Sequence, residues 1–164
     1  LFRYARQALV RRIEIAELTL EMLDYFQTGL LRRRQRQERI YCFLGQVPNP
    51  DILVILADFF LRVVEISWSV VAGIYQDRLI VIFRNNGIHK NAGRLAQATF
   101  GRLGSAGGHT SSARAEVPLA RLTQLPPPED IEVWEDFLIN QIEKRPRRPK
   151  VAAGTEIPTR ELPD

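Results

Sequence analysis

The sequence predicts an α/β (α+β) fold: a single mixed β-sheet flanked by helices and preceded by a linker helix. Three observations lead there. Helical and strand patterns alternate in the order helix, strand, helix, strand, strand, helix, glycine-rich turn, strand, helix. The chain has 164 residues of which 45% are hydrophobic, enough for one ordinary core. No internal repeat divides it.

Taken in order, residues 2–27 carry Leu9, Ile13, Ala16, Leu20, Leu23 and Phe26 at helical spacing. Glu14, Glu17, Glu21 and Asp24 share another face, and Gly29 is the expected stop. A basic run from Arg32 to Arg39 reads as an exposed linker. Residues 38–46, ERIYCFLGQ, are rich in aromatic and β-branched side chains and predict a strand. Asn49, Pro50 and Asp51 then mark a helix start, expected to run to about Glu65. Strands follow at 67–75 and 78–83, joined by a tight turn at Gln76 and Asp77. A helix is expected over 91–103 and a strand over 115–122. Pro126, Pro127 and Pro128 form a break before an amphipathic helix over 129–144. Residues 145–164 lack any period and read as a flexible tail.

The net charge of +4 suits an anionic partner without requiring one. A single cysteine, Cys42, in an apolar run excludes a disulfide framework and reads as a buried thiol in a reduced compartment. One Cys and two His cannot build an ordinary Cys/His zinc site. No secretory signal pattern opens the chain, and the longest apolar run is interrupted by Asp58 and Arg62. The expectation is a cytoplasmic piece of a longer protein, with no membrane partner.

The segment GRLGSAGGHTSSARAEV, residues 101–117, concentrates the chemistry. Glycines can turn successive N–H groups to one side, and such a nest ahead of a helical turn attracts phosphate. His109 at its edge can donate to a phosphate oxygen. Glycine clusters also simply make tight turns, and the residues by themselves leave both readings open.

This segment resembles the Gly-Gly-Gly-His signature of the DHH-associated domain. That domain is the C-terminal, substrate-binding half of the DHH phosphoesterases, which include RecJ-type exonucleases, oligoribonucleases, 3′-phosphoadenosine phosphatases and exopolyphosphatase-like proteins. The matching pieces are IVIFRNN (80–86), a helix around Leu95, ATFGRLG (98–104), AGGH (106–109) and SARAEV (112–117). They cover roughly a quarter of the chain, and the wider element order extends from about residue 38 to 122.

The resemblance implies that Gly107, Gly108 and His109 hold a substrate phosphate, with Arg84 as a cationic clamp at a strand end. Asn85 stands where the family frequently has serine, and Arg114 flanks the segment, as does Arg102. Ala106 replaces the first glycine, and its methyl is expected to narrow the anion pocket. The Asp-His-His motif that gives the family its name is not in this sequence, and His89 and His109 cannot replace it.

The resemblance therefore implies a two-metal site, usually manganese, on a separate N-terminal domain. Residues 1–31 would be the linker helix from that domain, 32–144 the substrate-binding domain and 145–164 the tail. No catalytic residue or metal ligand is expected on this chain, which alone would bind but not hydrolyse. The partners so implied are a nucleotide or short oligonucleotide substrate and the chain's own metal-binding domain. The apolar N-terminal helix can also support a homodimer. A non-catalytic nucleotide-binding or regulatory module that keeps only the fold is the alternative.

Overall fold

The computed structural model describes residues 18–87 and 90–144. The first half of the expected leading helix, His89, the tail and its basic cluster at 145–150 lie outside the described residues.

A six-stranded mixed sheet carries helices on both faces. The elements are α1 (Leu20–Arg32), β1 (Arg34–Arg36), β2 (Arg39–Gln46), α2 (Asp51–Phe60), β3 (Trp68–Tyr75), β4 (Arg78–Asn85), α3 (Ala92–Phe100), β5 (Ser105–Gly108), β6 (Ser112–Pro118) and α4 (Ile131–Glu143), with a short 3-10 turn at Leu119–Arg121. Spatial order is β1-β2-β3-β4-β6-β5. Only β2 and β3 are parallel, joined through α2; every other pair is antiparallel.

The alternation of side chains along β4 divides the core. Leu79, Val81 and Phe83 meet α3 and α4 on one face, while Ile80 and Ile82 meet α1 and α2 on the other. The ring of Trp134 from α4 stacks on Phe43 of β2, with centroids 5.1 Å apart and planes 7° from parallel. Its indole N–H donates to the Pro126 carbonyl at 3.1 Å, so the proline break holds α4 in place.

Several boundaries differ from the sequence expectation. Helix α1 begins only at Leu20, because the Thr19 hydroxyl accepts from the Met22 N–H and caps it. It does not stop at Gly29. That residue is buried within the helix, where a Cβ would lie 2.5 Å from Leu56 Cδ2, so glycine serves close packing of α1 on α2. The basic run is not a linker: Arg34–Arg36 forms an edge strand paired with Arg39–Tyr41 of β2. Helix α2 ends at Phe60, short of Glu65. The Gln76-Asp77 turn stands as expected, with φ of 46° and 58°, the left-handed pair of a two-residue hairpin. The glycine segment is itself a strand, β5, and β6 begins three residues earlier than the sequence pattern suggested.

Cys42 is fully buried, and burial pushes its thiol up to about 12. Glu135 on α4 is only 4% exposed, and its Oε1 has no hydrogen-bond partner among the described residues. Burial raises its carboxyl above the ordinary glutamate range, with the Phe43 N–H offsetting part of the effect. No helix among the described residues is long and apolar enough to cross a membrane.

Trp134→Ala is expected to cost about 3–5 kcal/mol, read as a lower urea midpoint with the slope unchanged. An unchanged midpoint would remove the stack from the core. Glu135 has a raised folded pKa, so its protonated form favours folding. That contribution is full below the ordinary glutamate pKa of ~4.3 and is lost as pH rises through the folded value. Glu135→Gln should therefore be more stable than the parent at pH 7, by a margin that shrinks at pH 4; a margin that grows on acidification contradicts this.

Candidate functional site

The sheet is covered unevenly. Helix α3 packs on β5 and β6 from one side, with Ala113, Ala115 and Val117 of β6 buried beneath it. On the other side α2 reaches only β3 and β4. On that face of the sheet Ser105, Gly107 and Arg114 are exposed. Strand alternation places Ser105 and Gly107 there from β5, and Ser112, Arg114 and Glu116 from β6.

Ala106 points the other way, pairing with buried Ala115 and packing against the core. Its methyl therefore does not narrow the open face, contrary to the sequence expectation. The glycines also divide. At Gly107 a Cβ would meet nothing within 4 Å, so the fold does not require glycine there. Gly108 has φ +154°, and a Cβ on it would lie 2.5 Å from Ala113 Cα. A Cβ on Gly93 of α3 would lie 2.5 Å from the Gly108 carbonyl oxygen. Gly93 lets α3 lie directly on the hairpin backbone, and Gly108 lets β5 and β6 close together beneath it.

Residues 109–111 close the β5–β6 hairpin, and their three carbonyls all turn inward. The His109 carbonyl accepts from Gly93 N at 2.9 Å, and the Thr110 carbonyl from Ala92 N at 2.8 Å. The Ser111 carbonyl accepts from Asn85 N at 2.9 Å. The free donors at the start of α3 are thus consumed by this loop, and Arg94 N goes to the Asn91 cap at 2.8 Å. The expected anion nest ahead of a helical turn is therefore not what forms, since a strand follows the loop and the helix N-terminus is already occupied. What remains is different. His109, Thr110 and Ser111 are exposed, and among the described residues the Thr110 and Ser111 N–H groups meet no acceptor.

The other sequence candidates fall around this loop. Asn85 is 4% exposed, and its side chain is committed: Nδ2 donates to the Thr110 carbonyl at 2.9 Å and Oδ1 accepts from Gly87 N at 2.6 Å. It positions the loop. Arg84 follows the open face at the end of β4, beside Ser112. Its Nε donates to Asp58 Oδ1 of α2 at 2.7 Å, and Nη1 donates to the Phe83 carbonyl at 3.1 Å. Arg114 stands beside Gly107 and pairs with Glu116 at 2.9 Å. Arg102 lies apart, at the far end of β5 and β6.

Asp58, Gly93 and the loop donors of Thr110 and Ser111 were not picked out by sequence. Gly93 alone left a signal, since Ala-Gly directly after an Asn cap permits close backbone approach. Among the described residues no group of three or more His, Cys, Asp or Glu side chains could hold a metal, so the donor set does not fit a metal centre on these elements.

No protein-family model matches the chain. A curated relative, the uncharacterized protein MJ1633 of Methanocaldococcus jannaschii, is 29% identical over 117 residues, covering 71% of this chain and 24% of its own length. The chain thus spans about a quarter of that relative. Among solved structures, an exopolyphosphatase-related protein from Bacteroides fragilis matches with a TM-score of 0.53 at 12% identity, over 76% of this chain and 36% of that one. This establishes a shared fold. The pGpG-specific phosphodiesterase PggH from Vibrio cholerae gives a TM-score of 0.47 at 14% identity over 74% and 38% of the two chains. The DHH domain of the ribosomal-protein family member PF0399 gives 0.46 at 12% identity over 75% and 30%. The fold shared with the exopolyphosphatase-related protein is the mixed-sheet α+β fold expected from the sequence.

Two alanine substitutions separate the glycines. Gly107→Ala should leave the melting temperature unchanged, whereas Gly108→Ala should destabilise by about 1–3 kcal/mol through its backbone conformation and crowding. Equal effects would show that both are structural.

Proposed function

We propose that this domain is the substrate-binding lobe of a two-metal phosphoesterase, and that the loop 109–111 binds a phosphate of a nucleotide or short oligonucleotide. One observation supports this above the others: the loop's carbonyls are all consumed inside while the Thr110 and Ser111 N–H groups stay exposed beside His109. A loop built this way offers donors and withholds acceptors, which is the polarity a phosphate needs. Gly107, free of any packing role, leaves the adjoining strand surface open for a ligand to approach its backbone. Arg114 adds a cation beside it.

Arg84 is the clamp in this reading, held in one orientation by Asp58. In this reading manganese and the water-activating chemistry would belong to a separate N-terminal domain, as the resemblance implies. The contribution of the present residues is orientation: a held phosphate has its reacting bond fixed in space before a metal-bearing lobe meets it. The exposed leucines of α1, Leu20, Leu23 and Leu31, are the surface that this reading assigns to that lobe.

The test is an NMR titration of the 164-residue chain with a dinucleotide and with 3′-phosphoadenosine 5′-phosphate, with His109→Ala beside it. Saturable shifts at Gly107, His109, Thr110 and Ser111, and an affinity about tenfold weaker in the variant, are expected. Unchanged affinity in a folded His109→Ala would leave the fold-only regulatory module as the better account.

A further inference from the structure

The exposed face does not end at the loop. Strand β6 runs from Ser112 beside the loop to Pro118 at the opposite edge, and its residues on this face are Ser112, Arg114, Glu116 and Pro118. At that far end Arg78 of β4, Arg102 after α3 and Arg121 of the 3-10 turn line one hollow of about 310 Å³, with Ser105 and Glu116. Glu116 is shared, 2.9 Å from Arg114 and 4.0 Å from Arg78. Arg102 and Arg121 are exposed and have no ion-pair partner among the described residues. Asp77, next to Arg78, is the other acid at this end, and its carbonyl holds the Leu119 N–H. Three arginines against one glutamate leave the hollow positive, and the arginines come from three separate elements that the fold brings together.

We propose that this arginine-lined hollow is a second phosphate subsite, which takes the distal phosphates of an oligonucleotide strand whose end phosphate lies at loop 109–111. The proposal rests on the reading of that loop as the first subsite. On β6, Ser112 beside the loop and Glu116 in the hollow stand four residues apart, ~13 Å at strand rise. A single phosphate or mononucleotide cannot span that distance, whereas a strand of a few nucleotides can, at ~3.4 Å per stacked residue. Strands β5 and β6 contribute no aromatic side chain, so these strands supply no stacking platform. Recognition here is through phosphates, insensitive to base sequence and steeply dependent on salt. The face thereby selects for length.

Fluorescence anisotropy with end-labelled hexanucleotide and dinucleotide tests this on the full chain. The double variant Arg102→Ala/Arg121→Ala should bind the hexanucleotide about tenfold more weakly, change dinucleotide affinity less than about twofold, and lower the log–log salt slope by about 1.4. Glu116→Gln, which removes the only acid lining the hollow among the described residues, should tighten the hexanucleotide. Equal losses on both lengths, no loss on the hexanucleotide, or failure of the parent chain to bind it would each overturn the second subsite. Inorganic polyphosphate of matched charge serves as competitor; displacement of the hexanucleotide at equal or lower concentration would overturn the oligonucleotide assignment. A His109→Ala variant that leaves dinucleotide binding intact would remove the first subsite alone, because the arginine effect is read on the hexanucleotide.

Discussion

The contact between the backbone of Gly108 and the first turn of α3 is the constraint on which the site depends. Gly93 has no room for a Cβ against the Gly108 backbone, and Gly108 has none against Ser112 and Ala113 of β6. Because the backbones touch, the Ala92 and Gly93 N–H groups reach the Thr110 and His109 carbonyls instead of solvent. Two of the donors at this helix N-terminus are thus taken by a hairpin loop, a third by the Asn91 cap, and the loop is fixed by the helix. Asn85 locks the arrangement from the neighbouring strand. The exposed edge of the loop inherits its polarity from this inward commitment of acceptors. In the proposed reading the anion donors are those of Thr110 and Ser111, just beyond the glycines of β5.

This explains why the sequence disclosed the segment but not its working parts. The periodic elements were legible because burial imposes them. The apolar period of α4, the capped start of α2 and the β3–β4 hairpin with its left-handed pair are local or nearly local consequences of composition. Their margins shifted where a side chain or a packing contact intervened, as with Thr19 at α1 and Leu56 against Gly29. Strands β1 and β5 were not legible. One is three residues of Arg and Gln, the other is Ser-Ala-Gly-Gly, and neither carries β propensity. They are strands because β2 and β6 offer an edge, which is a tertiary fact.

The same distinction separates the candidate residues. Gly107, Gly108, His109, Asn85, Arg84 and Arg114 lie at one end or along one face of the sheet. Their individual roles were not readable from residue type. Asn85 resembles a ligand-binding amide until its two bonds to Thr110 and Gly87 are counted. Arg84 resembles a free clamp until Asp58 is found on a helix 26 positions earlier in the chain. Gly107 and Gly108 are adjacent and identical in type, yet one is required by packing and the other is not.

The uneven cover of the sheet connects these details to function. Helices fill both faces over β2, β3 and β4, where every strand reads as nearly continuous apolar sequence. Strand β6 instead alternates, with alanine and valine beneath α3 and Ser112, Arg114 and Glu116 opposite. Such alternation is the pattern of a sheet that keeps one face wet, and it sets β6 apart from the central strands β2, β3 and β4. The exposed cations on that face carry a cost of mutual repulsion that Glu116 only partly offsets by pairing with two arginines at once. A polyanion drawn along the strand would relieve that repulsion while displacing solvent from a surface that the fold has otherwise left open.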